Sequence, residues 1–128
     1  MRCLLDTHAL LWTFNDSPSL SSKARKIIED GTNEVLVSAA SAWEIATKFR
    51  LGKLPTAEDL IHSFDRYLAQ LNFDPLAISF QHAIRAGGLP GEHRDPFDRM
   101  LISQAQMENL PIISNDRIFD EYHVQRIW

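Results

Sequence analysis

Cysteine is nearly absent: Cys3 stands alone among 128 residues, so no intramolecular disulfide can form. Long apolar runs are missing as well. The stretch Cys3-Leu4-Leu5 after Met1-Arg2 is stopped by Asp6, so neither a secretory leader nor a membrane span can be drawn, and a cytoplasmic protein without membrane attachment is expected. There is no basic excess either: the formal net charge is −4 and the pI about 5.7, which excludes a protein that grips nucleic acid by bulk charge. No Cys/His set has zinc spacing. The five histidines, His8, His62, His82, His93 and His123, share no spacing or setting that would form an acid–base pair. His62 and His82 read as surface or boundary residues within helices, and His93 as a minor candidate for substrate contact. Internal repeats and low-complexity segments are also lacking.

What is there is a 45% hydrophobic chain, enough for one domain with a real core over residues 1–128 but not for two. Short runs rich in β-branched and large apolar residues suit buried strands at 2–5, 34–38, 74–79, 110–114 and 123–128. Helical patterns, several opened by Ser, Thr or Asp, fall at 8–15, 21–30, 39–51, 57–71, 80–87 and 96–108. Strands alternating with helices predict a three-layer α/β domain with a largely parallel, five-stranded sheet. The aromatics Trp12, Trp43, Phe64, Tyr67, Phe80 and Phe97 stand at helical spacings typical of core or interface residues.

Four acids sit where such a fold could use them, and each also has an ordinary explanation. Asp6 ends the first apolar strand, at the rim where open α/β sheets place ligands, or it caps the following helix. Glu44 lies inside a helix, where it could complete a capping box with Ser41 or pair with Lys48 one turn on. In "RDPFDRMLI", Asp95-Pro96 reads as a helix start, which puts Asp98 on the first turn at the positive end of the helix dipole. Asp116 follows the apolar strand "LPIIS" and could equally be a turn aspartate. If the four gathered, they would raise one another's pKa values, so such a cluster requires a neutralising cation. An all-oxygen donor set suits Mg²⁺ or Mn²⁺, and the implied chemistry is phosphodiester hydrolysis. Lys48, Arg50, Lys53, Arg94, Arg99 and Arg117 flank these acids and could ring the pocket with positive charge.

The segments "LLDTHALLW", "SAASAWEIATKFRLGKL", "HRDPFDRMLISQA" and "ISNDRIF" resemble, in order and spacing, those of PIN domains, and more closely the VapC-like ribonuclease toxins of toxin–antitoxin pairs. The resemblance covers essentially the whole chain. It implies that Asp6, Glu44, Asp98 and Asp116 are the catalytic metal-site acids, that Asp95 is the structural cap, and that Mg²⁺ or Mn²⁺ activates water for attack on RNA. Thr7, Ser114, Asn115 and Arg99 become candidates to contact substrate or to position the acids. It further implies a cognate antitoxin and a homodimer formed through apolar parts of the helices at 39–51 and 57–71. The alternatives are a housekeeping RNA-processing nuclease without antitoxin, and a non-catalytic acidic-pocket module. A receiver-like phosphorylation switch expects adjacent acids on the first strand and a late lysine. Here Leu4-Leu5 precede Asp6, and no lysine follows Asp116.

Overall fold

The computed structural model describes residues 1–128. Strand alternation sets the layers. In β1 (Arg2–Leu5) and β2 (Glu34–Ser38), Cys3, Leu5, Val35 and Val37 face one core, and Leu4 and Leu36 face another. A sheet that is apolar on both faces must be covered on both, as parallel sheets are. The first core is closed by residues of α1 (Thr7–Phe14), α2 (Ser22–Glu29), α3 (Ala39–Arg50), α4 (Glu58–His62) and α5 (Phe64–Gln70). The second is closed by α6 (Phe80–Gly88), α7 (Pro96–Met107) and Phe119.

All strand pairs are parallel, in the order β3-β2-β1-β4-β5, with β3 at Asp74–Leu76, β4 at Ile112–Ile113 and β5 at Arg126–Ile127. The chain therefore steps outward from β1 through β2 to β3, then returns over the sheet to lay β4 on the other side of β1. Leu5 registers with both Val37 and Ile113, so the carboxyl ends of the three central strands are level. The order reverses between β1 and β4, the place at which doubly wound sheets bind ligands.

The α/β expectation holds, with local corrections. The helix expected at 57–71 begins as a 3-10 turn (Pro55–Ala57) and breaks at Ser63, whose φ is −127°. The Ser63 hydroxyl donates to the Asp59 carbonyl at 2.6 Å, beside the Ser63 N–H, which is shared between the Asp59 and Leu60 carbonyls at 3.2 Å. The strand expected at 74–79 stops at Leu76, because Ser79 is already the N-cap of α6. β3 lies at the sheet edge, where Pro75 is tolerated. The strands expected at 110–114 and 123–128 shorten to two residues each, and a 3-10 segment, Arg117–Tyr122, joins them. No helix is long and apolar enough to cross a membrane.

Candidate functional site

Asp6 follows β1 directly, and its backbone N–H donates to the Ile113 carbonyl of β4 at 3.1 Å, which fixes it where β1 and β4 end side by side. The cap reading holds: Oδ1 accepts the Ala9 N–H at 2.7 Å as the N-cap of α1. Only 5% of the residue is exposed, and burial pushes its carboxyl up to about 6. The charge of Asp98 adds to that rise, while the Ser114 hydroxyl, the Ala9 N–H and His8 oppose it.

Glu44 reaches the same place from α3. Ser38, not Ser41, caps this helix, accepting the Ala40 N–H at 3.0 Å, so the capping-box reading fails. Ser41 is instead fully buried and accepts a hydrogen bond from Thr7 Oγ1 at 3.0 Å. Thr7 follows Asp6, and Ser41 stands one turn before Glu44, so this one bond clamps the two acid-bearing elements together. Glu44 is 4% exposed and is held by a hydrogen bond from Lys48 Nζ. The i,i+4 pair exists, but on a buried carboxylate rather than on the surface.

Asp98 enters from the first turn of α7. The sequence division of labour between the two aspartates holds for the cap: Asp95 Oδ1 accepts from Phe97 N–H at 2.9 Å and from Asp98 N–H at 3.1 Å. The Asp98 carboxylate is left to the site, and its Oδ2 lies 2.9 Å from His93 Nε2. Its pKa is raised first by burial, then by the charges of Asp95 and Glu44, with His93 opposing. Asp6 and Asp98 thus each respond to another of the three acids, which places them in one electrostatic neighbourhood.

The remaining candidates are placed less centrally. Asp116 is exposed at the end of β4 and caps the 3-10 segment through Ile118 N–H at 3.0 Å. Its charge is not among those acting on Asp6 or Asp98. Ser114 is buried and accepts the Asp116 N–H at 2.9 Å, while Asn115 is exposed. Arg99 uses its guanidinium on the carbonyls of Ala86, His93 and Leu89, at 2.9, 2.9 and 2.6 Å, so it acts on the site by holding the loop that carries His93.

One expectation needs correction. His82 is buried: its Nδ1 accepts the Ser79 N–H at 3.0 Å, and its Nε2 lies 2.8 Å from Glu108. Of the aromatics expected in the core or at an interface, Trp12, Phe64 and Tyr67 pack against the first core, whereas Trp43 and Phe80 are exposed and Phe97 joins neither core. His93 is the residue that sequence reasoning undervalued. No periodicity signals that a loop two residues before a cap folds back onto the next turn.

As the side chains stand, no three His, Cys, Asp or Glu groups converge closely enough to hold one ion. Glu44 is turned to Lys48 and Asp98 to His93. The donor chemistry nonetheless fits a hard divalent cation. The donors are carboxylate oxygens, and burial disfavours the charge of Asp6 and Asp98; Mg²⁺ commonly takes only one or two carboxylates together with waters.

The PIN domain family model matches residues 3–124. Ribonuclease VapC16 of Mycobacterium tuberculosis is 39% identical over 71 residues, a match that spans 54% of this chain and half the length of that relative. Among solved structures, VapBC2 of Rickettsia felis bound to a promoter DNA fragment superposes with a TM-score of 0.71 at 17% identity, over 99% of this chain and 98% of that one. FitAcB of Neisseria gonorrhoeae gives 0.68 at 18% identity, over 100% and 97%. At such identities these structures speak to the fold alone. With the family match running from the strand that delivers Asp6 past the helix that delivers Asp98 and on to the approach to the last strand, the chain belongs to the PIN domain family.

Proposed function

We propose that this chain is a Mg²⁺- or Mn²⁺-dependent endoribonuclease and the toxin of a toxin–antitoxin pair. What supports the reading is that Asp6, Glu44 and Asp98, carried by three separate elements, are electrostatic neighbours: Asp98 acts on Asp6, and Glu44 on Asp98. The relative named as a ribonuclease supports the nuclease part, and one neighbour of the same fold, from Klebsiella pneumoniae, is named a toxin–antitoxin complex.

Asp6, Glu44 and Asp98 would hold the cation, with Asp116 contributing from the rim. When bound, it lowers the pKa of the attacking water and stabilises the charge that develops on phosphate. The chain's own groups do the rest. The Thr7–Ser41 bond fixes the spacing of Asp6 and Glu44, and His93, braced by Arg99, orients Asp98. Lys48 stands beside Glu44, and Arg50, Lys53, Arg94 and Arg117 are exposed and enter no ion pair, so they are free to meet RNA phosphates. Net negative charge is then no obstacle, because the cations are local. The 128 residues act as one nuclease domain in the cytoplasm, as a homodimer, with an antitoxin covering the acids until it is lost.

The test is cleavage of single-stranded RNA by purified protein with Mg²⁺ or Mn²⁺, with the product ends identified. The expected ends are 5′-phosphate and 3′-hydroxyl. Cleavage that survives chelation, or that leaves 2′,3′-cyclic phosphate, contradicts the metal route. Expression without a partner is expected to arrest growth, and Asp98→Ala to relieve the arrest. An RNA-cutting protein whose expression is tolerated would instead be a housekeeping nuclease.

A further inference from the structure

Two aromatic rings stand outside both hydrophobic cores, each one residue before a site acid. Trp43 precedes Glu44 on α3, and Phe97 precedes Asp98 on α7. Their ring centroids are 4.6 Å apart with planes at 75°, an edge-to-face contact that holds the indole at a fixed angle. Trp43 is nevertheless 53% exposed. The other two tryptophans, Trp12 and Trp128, contact each other and pack against the first core, so they need no further role.

We propose that Trp43, braced by Phe97, is a stacking platform for an unpaired nucleobase beside the phosphate at the Asp6, Glu44 and Asp98 acids. The inference rests on the ribonuclease reading and specifies its substrate: a strand whose base next to the cut is free to leave its neighbours. Aromatic faces take any base, so the pair selects for single-strandedness rather than for sequence. The brace matters because a preorganised ring loses little freedom on binding. Two rings flanked by the charges of Glu44, Lys48 and Asp98 match one base in size. The homodimer expected through apolar parts of the helices at 39–51 and 57–71 must then leave Trp43 open, and a dimer contact that covers it counts against the platform.

The experiment is fluorescence anisotropy in Ca²⁺ buffer, with a labelled hexa-uridylate RNA and an abasic oligomer of equal length, for wild type, Trp43→Ala and Trp43→Phe. Cleavage kinetics with Mg²⁺ run beside it. Trp43→Ala should weaken hexa-uridylate binding about tenfold and raise KM accordingly, leave abasic binding nearly unchanged, and be largely rescued by Trp43→Phe. Trp43 is exposed, so both variants should fold, which circular dichroism checks. Equal weakening of both oligomers, or of neither, overturns the platform while leaving the nuclease reading intact. A shift in sedimentation with unchanged RNA binding would assign the pair to a protein contact and also overturn it. If wild type neither binds nor cuts RNA, the nuclease reading fails and takes the platform with it.

Discussion

Asp6 has two oxygens and two tasks, and the conflict between them is measurable. The cap to Ala9 favours the charged form, but burial dominates and pushes the carboxyl up to about 6, against about 3.9 in an unfolded chain. For an acid raised on folding, stability is fully present below the unfolded value and is lost as pH rises through the folded one. Without metal, this residue alone should therefore destabilise the fold by about 3 kcal/mol from below about pH 4 to about pH 7. Asp6→Asn keeps an oxygen for the Ala9 N–H but carries no charge. Its stability relative to wild type should rise across that window in urea unfolding with chelator present, and a pH-independent difference would contradict this. At this scale the sequence was readable wherever chemistry follows from position along the chain. Asp95 before Pro96 reads as a cap, and Asp98 on the next turn reads as the free acid. Burial is not encoded by spacing, which is why His82, Trp43 and the His93–Asp98 contact had to come from the structure.

Elements meet at the site through a few buried polar bonds, and these set the precision of the acids. Thr7 and Ser41 lock the start of α1 to α3, while Ser38 donates to Gln104 Oε1 at 2.5 Å, tying the end of β2 to α7. Removing one partner leaves a buried hydroxyl unsatisfied, whereas removing both leaves none. Thr7→Val and Ser41→Ala should each cost about 1–3 kcal/mol, and the double variant clearly less than their sum. Denaturant unfolding of the four proteins gives the cycle, and simple additivity would show that the two hydroxyls do not support each other. The helix and strand order was legible from periodicity and caps. The break at Ser63 was not, because nothing in the local pattern marks a residue whose φ turns to −127° while its N–H still reaches the Asp59 carbonyl.

For the whole molecule, the decisive feature is the order β3-β2-β1-β4-β5, which puts the ends of β1 and β4 side by side and lets α3 and α7 converge over them. Alternation of strands and helices predicted the parallel sheet. The strand order itself depends on which faces pack together, and no local pattern states it. Asp98, on this view, belongs to a cation site rather than serving only its helix. Thermal unfolding of wild type, Asp98→Asn and Asp95→Asn, with chelator and with Mg²⁺, tests it most directly. With chelator, Asp98→Asn should be at least as stable as wild type, because one of several mutually repelling charges is gone. With Mg²⁺ at a hundredfold excess over its Kd, wild type should gain about 2.7 kcal/mol and Asp98→Asn much less, while Asp95→Asn, which still caps, should follow wild type. If Asp98→Asn is destabilised equally with and without Mg²⁺, by the roughly 0.3–1 kcal/mol of a lost dipole interaction, and still cuts RNA, Asp98 serves only its helix and the claim is contradicted.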